Sequence, residues 1–161
     1  MLTMRFQFAD ELIASLRSKG PRVVAVIATR IETLMEQLAS YIVSTKLSGQ
    51  VLGRVSGKLA ESVHVIPTQF AGTKFIFGVE AAGGDAFYGK IYEEGLPFPW
   101  AITAVNARAL QFVRDEHMAY AKWVVHPLVE PKPFMSTALE EYRAYIGREI
   151  IAAANEATGR K

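Results

Sequence analysis

The spacing of apolar residues changes period twice along this chain, and that alternation limits its possible folds more than any other feature. Ile27, Ile31, Leu34, Met35, Leu38 and Ile42 recur at three- and four-residue steps, while Glu32, Thr33, Glu36, Gln37 and Ser40 take the opposite side. This is the pattern of an amphipathic helix with one buried face. The period then falls to two. Val63 and Val65 share one face of a strand that ends near Pro67, and Phe75, Phe77 and Val79 share one face of the next. The short 69–72 connection makes the pair a hairpin. Helical spacing returns at Met135, Leu139, Tyr142, Ile146 and Ile150.

The punctuation between these runs sets the boundaries. Phe8, Leu12, Ile13 and Leu16 predict a first helix capped by Asp10, with Gly20 as its stop and Pro21 opening the long helix, which ends near Ser44. Residues 45–57 carry three glycines and little periodicity, and are expected to form a mobile loop that becomes ordered on assembly. Residues 81–103 read as an irregular insert, since Pro97 and Pro99 exclude regular structure around them. Arg108, Leu110 and Phe112 alternate in a third strand, a turn follows at residues 114–117, and Ala119, Ala121, Trp123 and Val125 line a fourth. A proline-rich connector over 127–133 leads to the closing helix. The expectation is one α+β domain over residues 1–161. It comprises a helical part (8–44), the loop (45–57), a small, mostly antiparallel sheet of about four strands in two hairpins (58–126), and a C-terminal helix (134–154) packed on the sheet.

Composition removes whole classes of chemistry. The 161 residues include no cysteine, which excludes a disulfide framework, a thiolate zinc site, an iron–sulfur cluster and a cysteine nucleophile. A chain of this length buries roughly 70% of its unfolded surface and needs no such staple. The longest apolar run, residues 23–29, is closed off by Arg22 and Arg30, far short of a membrane span. The first seven residues lack the basic-then-apolar order of a secretory signal, so a protein made and kept, or assembled, in the cytoplasm is expected. Eighteen basic and sixteen acidic residues leave a net charge of +2, spread along the chain rather than gathered as in a dedicated duplex binder.

No constellation reads as an active site. His64, His117 and His126 show no helical pairing, and His117 falls in the expected turn. The segment from Gly53 to Lys58 superficially resembles a phosphate-binding loop. It has three residues between its glycines instead of four, Leu59 where the magnesium-binding hydroxyl should stand, and a strand rather than a helix after it. Glu93 and Glu94, near Asp85, could supply paired carboxylates, but neighbours in a loop do not converge, and a solvated acidic loop is the expected reading. No catalytic, cofactor or metal-binding residue is expected. Two groups stand out for other reasons. Tyr88, Tyr92, Phe98 and Trp100 cluster in the irregular segment, either folded back on the sheet or forming a protein–protein interface. Lys46, Arg54 and Lys58 form a stretch of three cations without an acid, a candidate assembly loop or a surface facing a channel.

Four segments taken together resemble a known family. Gly57-Lys58-Leu59-Ala60-Glu61-Ser62-Val63 is similar to the lead-in to the first strand of phage tail-completion proteins. Tyr88-Gly89-Lys90-Ile91-Tyr92-Glu93-Glu94-Gly95 resembles that family's tyrosine–glutamate–glycine segment. The longest likeness runs from Ile102-Thr103 through Ala109-Leu110-Gln111-Phe112 to Trp123-Val124-Val125-His126-Pro127. Pro131-Lys132-Pro133-Phe134 resembles the approach to the family's closing helix. The chain departs from the pattern at Leu128, where glycine more often follows the His-Pro pair. The family comprises head–tail joining (neck) proteins of long-tailed phages. The resemblance implies a virion protein, assembled in the host cytoplasm, that forms a sixfold homo-oligomeric ring between a head-side connector and the tail tube. It implies no catalytic residue, no membrane, and at most non-specific contact with DNA in the channel. Two other readings stand beside it: a small ligand-binding or enzymatic domain, and a nucleic-acid-binding protein using the basic stretch of residues 46–58.

Overall fold

A computed structural model describes residues 2–3, 20–52, 57–71, 75–81, 86–114 and 116–159. The helix expected around Phe8, Leu12, Ile13 and Leu16 lies outside the described residues, as do Arg54 and Asp85.

The long amphipathic run forms helix α1 (Pro21–Tyr41), with Pro21 in its first turn after Gly20. Val23, Ile27, Ile31, Leu34, Met35 and Leu38 are its buried face, as their spacing requires. The helix does not stop near Ser44. It continues as a π-helical segment, Ile42–Gln50, whose backbone breaks at Gly49 (φ 120°). The expected loop is therefore helical over its first residues, and Leu47 and Leu52 belong to the core. A π-helix closes i→i+5 bonds, so its apolar side chains do not follow the 3.6-residue rhythm that marks α1.

A three-stranded antiparallel sheet covers one side of α1. Strands β1 (Leu2–Thr3), β2 (Val63–Phe70) and β3 (Phe75–Ala81) are arranged β1-β3-β2. The central strand sends Phe75, Phe77, Val79 and Ala81 into the core. The outer edge of β2 is interrupted by Pro67 and by a register shift between Ile66 and Gln69, two features that discourage strand addition there. The chain is an α+β protein. Its closing helix, Met135–Thr158, packs chiefly along α1 rather than on the sheet, so α1 lies between the two.

The expected irregular insert contains regular structure. After a short helix α2 (Lys58–Glu61) and the β2–β3 hairpin, residues Ala86–Glu94 form helix α3, and Trp100–Thr103 form strand β4. Glycine in its middle and prolines just beyond hid both from a reading by composition. Strands β5 (Leu110–Arg114) and β6 (His117–Ala121) form the expected hairpin, so His117 opens a strand instead of lying in the turn. At its turn Glu116 holds φ 66°, a left-handed backbone unusual for a side-chain-bearing residue. Strand β7 (Trp123–His126) returns antiparallel to β4. The β5–β6 pair is thus nested inside the β4–β7 pair, giving one two-stranded arm over residues 100–126. The closing helix becomes α4.

Leu38 is fully buried among α1, the sheet and α4. Replacing it with alanine should lower unfolding free energy by about 2–5 kcal/mol, measured as a shift in denaturant midpoint without a change in slope.

Candidate assembly surface

Residues 57–63, 88–95 and 131–136 meet at one junction. Helices α2 and α3 approach so closely at Gly89 that a Cβ there would stand 2.8 Å from Leu59 Cδ1 and 3.7 Å from Phe134 Cζ. Phe134 is fully buried at this crossing. Helix α4 begins directly after it with no capping side chain of its own. The cap comes from another element. Glu93 Oε2 accepts the amides of Phe134 (2.8 Å) and Met135 (3.0 Å), and Oε1 accepts that of Ser136 (2.8 Å). A carboxylate here satisfies amides the helix cannot and complements the positive end of its dipole. The Glu93–Glu94 pair is therefore neither a solvated loop nor a catalytic dyad: Glu94 turns to Lys90 at 3.7 Å instead.

The same junction fixes the root of the arm. The Lys132 amide donates to the Tyr92 carbonyl at 2.6 Å, and Leu96 and Val129 exchange backbone bonds of 2.8 and 3.3 Å. Gly95 makes the turn between them with φ 78°, and a Cβ at that position would meet the Val129 carbonyl at 3.0 Å. Beyond this clamp the arm leaves the body. Its strands pack on each other, in the registers Trp100↔His126 to Thr103↔Trp123 and Leu110↔Ala121 to Arg114↔His117, and little of the body touches them.

The arm exposes the residue types that proteins bury. Ala101, Thr103, Trp123 and Val125 share one face of the β4–β7 pair, and Trp123 is 59% exposed. Tyr120 (67%), Met118 and Val105 (87%) are open further along, and Phe98 and Leu128 flank the root. An aromatic side chain alone can bury about 150–250 Å², so Trp123 and Tyr120 are each large enough to anchor a contact. A two-stranded ribbon is also marginally stable by itself in water, so covering it contributes to its order.

The two groups singled out by sequence fare differently. Tyr88 and Tyr92, four residues apart on α3, share a helix face, while Phe98 and Trp100 lie past the Gly95 turn at the root of the arm. All four are exposed, Trp100 by 42%. The basic group is not one surface. Lys46 is 6% exposed, Lys58 is exposed at the start of α2, and Arg54 lies outside the described residues. Lys46 cannot face a channel, because its ammonium is bound to Glu141 of α4 at 2.8 Å and lies 5.4 Å from the centre of the Tyr41 ring. Tyr41 donates its hydroxyl to the other oxygen of Glu141 at 2.5 Å. These contacts join the π-helical segment to α4.

Hydrogen bonds from Lys46 and then Tyr41 hold the Glu141 carboxyl below the usual carboxylate range. The bond to Glu141 raises Lys46, and the same carboxylate raises Tyr41. Of the histidines, His64 pairs with Glu80 at 2.9 Å, and the described residues hold no group of three histidines and carboxylates close enough to bind a metal. No described helix is long and apolar enough to cross a membrane.

No family model matches this chain, and no curated protein or solved structure matches it either.

Sequence reasoning named Glu93 and Lys46 but not the roles they fill, yet each role left a signal. A helix opening at Pro133-Phe134-Met135 with no local cap needs one from elsewhere, and Lys46 continues the buried Leu38–Ile42 step by four more residues. Two outcomes are expected. Glu93→Ala should cost about 1–2 kcal/mol, read by denaturant unfolding, with Glu93→Gln recovering part of it. The Glu141 contribution is present above the ordinary carboxylate range and is lost as pH falls through its lowered pKa; that of Lys46 is lost only as pH rises through its raised one. Thermal melts of wild type and Glu141→Gln should therefore differ by a constant amount through neutral pH and converge in acid.

Proposed function

We propose that this chain is a structural virion protein of the phage neck, forming a ring that joins the tail to the head. The observation that carries the reading is the arm: a ribbon with exposed aromatic and aliphatic side chains, anchored at its root and little covered by the described residues of the body. The resemblance to neck proteins adds to it, because its segments coincide with load-sharing parts of the fold. Three form the Leu59–Gly89–Phe134 junction with the Glu93 cap, and the fourth is the arm.

A closed ring needs two different patches on each subunit that fit one another. The arm supplies one. The neighbours above and below the ring are a head-side connector and the tail tube, and the ring is sixfold where it meets the tail. A net charge of +2 suits a conduit that lets DNA pass, since a clamp on duplex would carry a dense cationic face. The burial of Lys46 removes one of the three cations through which a separate nucleic-acid-binding role would act.

Native mass spectrometry and negative-stain microscopy of the concentrated protein test the reading. Closed rings of one subunit number are expected, with Trp123→Ala shifting the population to monomer while the melting temperature stays within a few degrees of wild type. A chain that is monomeric at every concentration, or a Trp123→Ala variant that loses stability yet assembles normally, would contradict it.

A further inference from the structure

The ring reading leaves open what receives the arm, and the structure offers a seat. A groove of about 630 Å³ runs between α1, the start of the π-helical segment and α4. Its floor is a file of rings: Tyr41 and Tyr142 lie 4.8 Å apart, and Tyr142 meets Tyr145 edge-on at 6.0 Å. Ser40 and Ser44 form its other wall, and Glu141 lies between the rings. Tyrosine with serine is the composition of surfaces built to bind protein: large, stiff rings with small hydrogen-bonding neighbours. The file is also held in place before anything binds. Tyr41 is tied to Glu141, and Glu141 to the buried Lys46, so little side-chain freedom remains to be lost on docking.

We propose that this groove seats the arm of an adjacent copy. The proposal rests on the ring reading and assigns that ring its second patch. Exposed side chains and charge both favour a second copy as the occupant. The arm exposes aromatic side chains to be covered, and the outer edge of β2 is blunted by Pro67 and its register shift. Arg108 and Lys122 on the arm are exposed, and their side chains have no acidic partner among the described residues. The groove presents what such cations bind: tyrosine rings and a carboxylate. The Glu141 oxygens each accept one bond internally, and a carboxylate offers about four acceptor sites in all. Tyr120 would then cover the file while the cations lie over its rim.

The absence of cysteine makes the test clean. Tyr120→Cys on the arm and Ser44→Cys in the groove are both exposed positions, so each variant should melt like wild type. Mixed under mild oxidation, the two single variants should form a disulfide-linked heterodimer that neither forms alone, and a chain carrying both should give a ladder ending at the ring size. Disulfide-linked dimers of Tyr120→Cys alone would mean arm pairs with arm, overturning the seat and leaving the ring. Wild-type rings by native mass with no cross-link in the mixture would also overturn only the seat. A monomeric wild type with no cross-link would overturn both.

Discussion

The apolar stripe of α1 has to be covered on two sides at once, and the rest of the subunit is arranged to do so. Ile27, Ile31, Met35, Leu38 and Ile42 are fully buried, with the β2–β3 sheet against one side and α4 along the other. Burial of each such side chain contributes roughly 1.5–3 kcal/mol. The stripe continues into the π-helical segment, where Leu47 extends it and Lys46 occupies a core position with its charge matched by Glu141. Among the described residues, both flanks of the α1 stripe are thus occupied.

The arm stands apart from this packing. Residues 100–126 leave the body from a point fixed by Gly95, Val129 and the backbone bond between Lys132 and Tyr92. The fold thereby holds the root of the arm rigid while leaving its faces open. Glu93 links the two functions, since its carboxylate starts α4, the helix that closes the core, from α3, the helix that carries the arm's root. A change at Glu93 therefore reaches both the stability of the subunit and the direction of its arm. The proposed role in a ring draws on the same division between a stiff body and an uncovered ribbon.

What the sequence disclosed follows from what obeys a simple period. The stripe of α1, the alternation in β2 and β3, the β5–β6 hairpin and the start of α4 were all legible, because each buries one regular face. Helix α3 was not, because Gly89 occupies a helix interior for a tertiary reason, the close approach of Leu59. Strand β4 was hidden because it is half exposed and follows Pro97 and Pro99. The π-helical segment escaped because its turn is wider than an α-helix's and a buried lysine looks like a surface residue. Tyr88, Tyr92, Phe98 and Trp100 were found as exposed aromatics, but the most exposed ring of the arm, Tyr120, sits in a strand whose alternation read as an ordinary hairpin. Lys46 and Lys58 stand in one acid-free run of sequence and are unlike in space: Lys46 is buried and Lys58 exposed, and the pairing of Lys46 depends on α4, almost a hundred residues away in the chain.

The claim that the arm is an interface is tested most directly by amide hydrogen exchange on dilute and assembled protein. In the dilute subunit, residues 100–126 should exchange far faster than α1, because a two-stranded ribbon opens without disturbing the core. In the assembled state the same residues should be protected to nearly the level of α1, with α1 itself unchanged. Equal, fast exchange across the arm in both states would contradict the account, as would protection in the dilute subunit matching that of α1.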